Sequence, residues 1–365
     1  FPRLHPSMQR WVHEQGWTTL HDAQERAIGP ILDEHHDVII SAATAAGKTE
    51  AAFLPICSAL AHQRDVARGA ATADPWEGHD PWAPPVPPPA PGIEVLYLSP
   101  LKALINDQYD RLDMICDRAD VAVHRWHGDV AGSEKRKTVK HPSGVLLITP
   151  ESLEAQFVNR GNEIATMFAG LRYVVVDELH SFLATPRGAQ LQSLLNRIEL
   201  AVRRRPPRIG LSATLGDMSA AKAFLRPTGP DNVLVIESTS DGQELKLQLR
   251  GYRAAAPDLR GRQVRAAEAA GQTVEIEQVV NGDQLDIAEH LFKSLRGCDN
   301  LVFANARSDV ETYADLLARR CERAKVANEF WPHHGSLAKD VREVVEAQLK
   351  DRTRPFTAVC TSTLE

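Results

Sequence analysis

Lys48 and Thr49 close the run SAATAAGKT at residues 41–49, and Asp177 and Glu178 end an apolar stretch in YVVVDELH at residues 173–180. A cation and a hydroxyl in one place and two carboxylates in another are the groups needed to hold and cleave a triphosphate. The first run follows Val38-Ile39-Ile40 and precedes a helical pattern at residues 50–61. In that order of strand, small-residue loop and helix, aligned backbone N–H groups and a positive helix end face one anion. Thr44, Ala45, Ala46 and Gly47 would cradle the phosphates, Lys48 would reach the β/γ-phosphates, and the Thr49 hydroxyl would ligate Mg²⁺. The loop departs from the general pattern at Ala42, where the first glycine usually stands, and at Ala45-Ala46. In the second run a buried-type strand carries Asp177 to the carboxyl edge of a parallel sheet, where ligands bind in open α/β folds. Asp177 would hold Mg²⁺ through water, and Glu178 would act as general base toward the attacking water.

The elements that must position these groups alternate. Apolar strands at 38–40, 93–98, 145–148, 173–176 and 209–211 are separated by helical patterns, which implies right-handed βαβ crossovers and a parallel sheet in a first domain spanning 1–228. Residues 74–92, DPWEGHDPWAPPVPPPAPG, hold eight prolines. Proline removes backbone donors and favours polyproline II, so the stretch reads as a solvated surface insertion. Trp76 and Trp82 offer a second reading, anchors for a protein partner. Residues 229–285 read as an interdomain crossing, with a strand VLVIES, a strand-like alternation in KLQLRGYRA and a charged stretch at 257–272. From 286 to 365 a second α/β domain opens: a helix at 284–295, strands at 300–303, near 327 and at 356–360, and helices from 308 and over 338–350.

Composition narrows the class without naming it. The chain has 365 residues, enough for two domains that each bury a core, and a net charge of -6, so any nucleic-acid groove must be basic locally. The five cysteines have no metal-ligand spacing, which suits a reduced cytosolic protein. No apolar run reaches the ~18 residues that span a bilayer. The first residues, Phe1-Pro2-Arg3, read as the interior of a coding sequence rather than a native start.

With these motifs the chain resembles the superfamily 2 helicases of the DExH type, most closely the large helicase-related (Lhr) group. TLHDAQERAI at 19–28 looks like the adenine-reading segment, with Gln24 facing the base edge. SPLKALINDQ at 99–108 is similar to motif Ia, LITPESL at 147–153 to motif Ib, LSAT at 211–214 to motif III, LVFANAR at 301–307 to motif IV, HHGSL at 333–337 to the segment after it, and AVCTSTLE at 358–365 to the start of motif V. The resemblance implies two tandem RecA-like domains with parallel sheets, the second incomplete at its C-terminus, closing on ATP and Mg²⁺ and stepping 3′ to 5′ along one strand. It implies coupling through His180, Ser212 and Thr214, and strand contacts from Ser99, Pro100, Lys102, Thr149, Pro150, Asn305, Arg307, His334, Gly335, Thr361 and Ser362. Chemistry supports the helix starts independently, because sequence-blind grip on sugar-phosphate uses hydroxyls, backbone N–H groups and helix N-termini. Adjacent His333 and His334 on an extended segment point to opposite faces, which argues against a metal pair. Arg203-Arg204-Arg205 and Arg208 read as a solvated helix end.

The expected partner is a single-stranded or tailed nucleic acid, DNA favoured and RNA open, since no 2′-OH reader stands out. Two other classes compete: an ATP-responsive clamp that binds strands without unwinding, and a P-loop enzyme acting on small molecules, which leaves motifs Ia, Ib, IV and V without a purpose. In the family the phosphoryl-stabilising arginines follow motif V. A polypeptide ending at Glu365 is therefore expected to bind nucleotide but hydrolyse it poorly, a finger being worth ~10³ to 10⁵ in rate.

Overall fold

Apolar runs of four or five residues become the strands of a computed structural model that describes residues 1–42, 47–72, 91–213, 215–238, 246–253, 282–351 and 353–361. The chain divides into two units, Phe1–Gln243 and Glu244–Glu365. The first holds β1 (Asp37–Ser41), β2 (Val95–Leu98), β3 (Val123–Trp126), β4 (Val145–Ile148), β5 (Tyr173–Val176), β6 (Arg208–Ser212) and β7 (Val233–Glu237). Their order is β3-β4-β2-β5-β6-β1-β7, and every pairing is parallel. The strands β2, β4 and β5 are buried along their whole length, which is why they read as unbroken apolar runs rather than as alternation.

Helices cover both faces: α1 (Pro6–Glu14), α2 (Asp22–Leu32), α3 (Lys48–Thr72), α4 (Lys102–Asp117), α5 (Gly132–Lys140), α6 (Pro150–Met167), α7 (Pro186–Val202) and α8 (Met218–Leu225). The strand period of two divides the core. Val38 and Ile40 of β1 pack with Met8, Ile31, Phe53 and Leu112 of α1 to α4, while Ile39 between them packs with Leu153, Leu191, Leu194 and Phe224 of α6 to α8.

Four departures from the sequence reading have physical causes. Strand β3, which sequence reading passes over, is an edge strand whose middle residues His124 and Arg125 are only half buried, so it lacks the apolar signature of the others. Strand β7, read as part of the crossing, lies beside β1 and carries the first unit past residue 228. Arg208 is not solvated: it is 1% exposed, donates to Glu199 at 2.8 Å, and belongs to a network in which Arg226 also pairs with Glu199 and donates to Asp37 at 2.6 Å. Opposed charges let these groups be buried and pin α7, α8, β1 and β6 at the amino edge of the sheet. The alternation at 246–253 forms no strand, and Leu247 and Leu249 are almost fully exposed.

Most of the proline insertion, with Trp76 and Trp82, lies outside the described residues, as does the charged stretch at 257–272. Its last residue does not belong to the surface. Gly92 has φ +143°, and a Cβ there would stand 2.9 Å from the backbone N of Gly170. Replacing 74–90 with a short Gly-Ser loop should leave the thermal midpoint almost unchanged, since closure entropy grows slowly with length. Gly92→Ala should lower it clearly. A thermal melt in which the loop replacement is the more damaging of the two would show that the tryptophans pack into the domain.

The second unit contains α9 (Gly282–Leu295), β8 (Asn300–Phe303), α10 (Arg307–Ala324), β9 (Phe330–His333), α11 (Lys339–Lys350) and β10 (Thr357–Cys360). Its described strands form a parallel sheet in the order β8-β10-β9. Strand β9 begins three residues later than the sequence suggests. Pro332 within it obscures the strand signal and is tolerated because, among the described strands, β9 pairs only with β10.

Candidate nucleotide site and strand-facing loops

The turns after β1, β5 and β6 leave the carboxyl edge of the sheet side by side. Ala42 N donates to the Ser212 carbonyl at 3.2 Å, tying the start of the small-residue loop to the end of β6. At the far end of that loop Gly47 has φ +72°, a conformation that favours glycine, and it packs against Gln24, whose Nε2 would stand 2.3 Å from a Cβ there. Lys48 Nζ reaches back across the turn to the Ala42 carbonyl at 3.0 Å. Gln24 is 1% exposed; its Nε2 donates to the Gly47 carbonyl at 3.4 Å and its Oε1 accepts from His21 N at 3.0 Å. It therefore touches the loop and caps α2 at once. Thr44, Ala45 and Ala46 lie outside the described residues, as do Thr214 and Ser362.

Asp177 follows β5 directly and is buried. Tyr97 Oη, from the neighbouring strand β2, donates to its Oδ2 at 2.6 Å, and Glu178 N donates to its Oδ1 at 3.0 Å. Burial raises its pKa to about 6, with a further push from the Glu178 carboxylate, against the opposing pull of the Tyr97 hydroxyl and of Lys48. The folded chain therefore holds this proton to a higher pH than the unfolded chain. Its contribution to stability is full below the ordinary value of 3.8 and is lost as the pH rises through about 6. Tyr97→Phe strands a buried oxygen and is expected to cost about 1–3 kcal/mol, read as a lower urea midpoint. An unchanged midpoint would mean that water or another donor replaces the phenol.

Glu178 adopts φ +46°, ψ 49°, a left-handed conformation costly for a side-chain-bearing residue. The turn aims its carboxylate at His180, whose Nδ1 is 3.3 Å from Glu178 Oε2 and 3.2 Å from Ser212 Oγ. One ring nitrogen thus bridges the turn after β5 and the end of β6, the contact the resemblance implies between DELH and LSAT.

The loops assigned to a strand offer a mixed picture. Lys102, at the start of α4, is exposed and lies 3.4 Å from Asp129. Ser99 and Pro100 are buried beneath it, as are Thr149 and Pro150 at the start of α6. The side chains of Ser99 and Thr149 therefore do not present themselves to a partner as the sequence reading expects. They end buried strands, and Thr149 spends its oxygen accepting from Ser152 N at 3.3 Å. In the second unit Asn305 and Arg307 are exposed after β8, Gly335 is exposed in the turn after β9, and Thr361 follows β10 half buried. Arg307 donates to Ser336 Oγ at 2.5 Å, joining the first two turns. His334 is buried and pairs with Glu311 of α10 at 3.1 Å, while His333 pairs with Glu346 of α11 at 3.1 Å. The two rings serve different helices, and His334 shapes its turn instead of facing outward.

Four residues with a part in this geometry are given no role by sequence reading. Tyr97 is a polar tip inside an otherwise apolar strand, a signal that could have been used. Gln108 and Arg111 of α4 meet Thr49 at 3.2 Å and Glu50 at 2.6 Å across the seam with α3. Arg187 of α7 donates to the Pro100 carbonyl at 2.6 Å and to both carboxylate oxygens of Glu151 at 2.6 and 3.0 Å, so it clamps the turns after β2 and β4 together. Its partners are distant in sequence, and no local pattern announces it.

Among the described residues no group of three or more His, Cys, Asp and Glu converges on a metal site. The sparse oxygen donors Thr49 and Asp177 instead fit Mg²⁺, which keeps most of its waters and is completed by phosphate oxygens.

The DEAD/DEAH box helicase family matches residues 21–223, more than half of the chain. The chain is 28% identical over 367 residues to the ATP-dependent helicase Lhr-Core of Methanothermobacter thermautotrophicus, covering 95% of this chain and 37% of that protein. It is 28% identical over 360 residues to the Lhr helicase/probable uracil glycosylase of Mycolicibacterium smegmatis, covering 92% of this chain and 22% of that protein. It thus spans well under half the length of these curated relatives. Among solved structures it is similar to Mycobacterium smegmatis helicase Lhr bound to ssDNA and AMP-PNP, with TM-score 0.70 and 26% identity, covering 100% of this chain and 42% of that one. Mss116p bound to ssRNA and AMP-PNP, at TM-score 0.69 and 16% identity with 99% and 64% covered, shares the fold.

Proposed function

The chain belongs to the DEAD/DEAH box helicase family, and from that premise we propose that it forms the motor part of an ATP-driven nucleic-acid translocase of the Lhr kind. Its substrate in this reading is single-stranded or tailed DNA, with RNA as a second possibility and movement 3′ to 5′. The observation that carries the reading is the shared sheet edge. Phosphate-loop residues after β1, paired carboxylates after β5 and the His180–Ser212 contact stand beside the clamped turns that open α4 and α6.

Each side chain then has a task. Gly47 lets the loop turn closely enough for backbone N–H groups to face the phosphates, and Lys48 adds a charge-assisted bond to the β/γ-phosphates. Gln24, whose amide bonds Gly47 and His21 in the free chain, would exchange those bonds for the base edge when nucleotide binds. Thr49 and Asp177 would hold Mg²⁺, whose charge offsets that of the phosphate oxygens. Glu178 orients and deprotonates the attacking water, and His180 with Ser212 senses whether that carboxylate is engaged. Lys102, Asn305, Arg307, Gly335, Thr361 and Ser362, with backbone at the turns carrying Pro100 and Pro150, would grip sugar-phosphate. Ser99, Thr149 and His334, all buried, would support those turns from beneath. A docking role for the proline-rich insertion stays a separate proposal.

No helix among the described residues is long and apolar enough to cross a membrane. A cytosolic setting is proposed from the unpatterned cysteines. The functional test is strand displacement from a 3′-tailed duplex. ATP-dependent release supports the translocase, strand binding without release points to a clamp, and ATP hydrolysis indifferent to strands points to a small-molecule enzyme.

A further inference from the structure

A threonine hydroxyl has one proton and two lone pairs. If its oxygen is to face a cation, the proton must go elsewhere. Thr49 Oγ1 donates to Gln108 Oε1 at 3.2 Å. Asp177, the other candidate ligand, already accepts from Tyr97 on one oxygen and from Glu178 N on the other. The half-buried Gln108 is held where it is by the seam between α3 and α4. Arg111, one turn further along α4, donates to the buried Glu50 at 2.6 Å, and Cys116 Sγ lies 3.7 Å from Cys57 Sγ near the far end of that helix. Side chains one residue after Thr49 and two turns beyond it thus fix the spacing at which Gln108 meets the hydroxyl.

We propose that Gln108 is a positioning residue for the cation at Thr49. By accepting the hydroxyl's hydrogen bond, its carbonyl oxygen leaves a Thr49 lone pair for the cation and spares the bound cation from competing with that proton. The inference rests on the reading of Thr49 as a Mg²⁺ ligand. It adds that the ligand is aimed from α4, the helix that begins at Lys102.

The test is an equilibrium one, independent of turnover: binding of a fluorescent AMP-PNP analogue by the chain, titrated with Mg²⁺ and repeated in EDTA. Gln108→Leu keeps the bulk and removes the acceptor. It should raise the half-saturating Mg²⁺ concentration about threefold to tenfold, the size of one hydrogen bond, while leaving affinity in EDTA unchanged. Gln108→Glu, which keeps an acceptor, should restore the Mg²⁺ dependence. On a Thr49→Ala background Gln108→Leu should change nothing further. An unaltered Mg²⁺ midpoint, an equal loss in EDTA, or an additive effect in the double variant would overturn the role assigned to Gln108. Nucleotide binding by the unaltered chain that ignores Mg²⁺ would overturn the reading of Thr49 itself, and the inference with it.

Discussion

In the full protein, Glu178→Gln should bind ATP and single strands almost normally yet turn over at least ~100-fold more slowly, the usual size of a general-base effect. The substitution keeps the shape of the side chain and a hydrogen-bonding end. The strained turn at φ +46° and the contact to His180 at 3.3 Å can both persist. What disappears is the carboxylate that takes a proton from water. The neighbouring Asp177 does not substitute for it, because its oxygens are engaged by Tyr97 and by backbone at 2.6 and 3.0 Å. Steady-state turnover with bound nucleotide measured in parallel checks this. Near-normal turnover would make Glu178 a structural residue and assign the water to another group.

Lys48→Ala should weaken ATP binding by about 1.5–3 kcal/mol, the range for hydrogen bonds to charged groups, or roughly 10- to 150-fold in affinity. Lys48 Nζ already leans across the phosphate loop to the Ala42 carbonyl at 3.0 Å, so the side chain is arranged before any ligand arrives. The fold should survive the change, because α3 is anchored by Phe53, Ile56 and Leu60 in the core. A direct nucleotide titration with undiminished affinity would remove Lys48 from this role.

How much of this was legible in the chain depends on the range of the interactions. Strands β4 and β5 stand where their apolar runs place them, because strand burial acts over a few residues. Edge strands were harder. In β3 half-buried His124 and Arg125 dilute the pattern, and in β9 Pro332 masks it. The support of the site was illegible for a different reason. Tyr97 reaches Asp177 eighty residues away, and Arg187 reaches Pro100 eighty-seven residues away, so only the sheet order reveals the contacts. Burial was the other blind spot. Ser99, Thr149 and His334 carry the residue types of a strand-binding surface, yet they sit beneath it because they terminate buried strands or cap turns.

The most direct test of the central claim is ATP hydrolysis by the full protein measured with and without single-stranded DNA. A motor whose carboxylates and strand-facing turns share one sheet edge should hydrolyse ATP faster as strand is added, with the increase lost in Glu178→Gln. Hydrolysis that is the same at every strand concentration, in a preparation that binds the strand, would contradict the account.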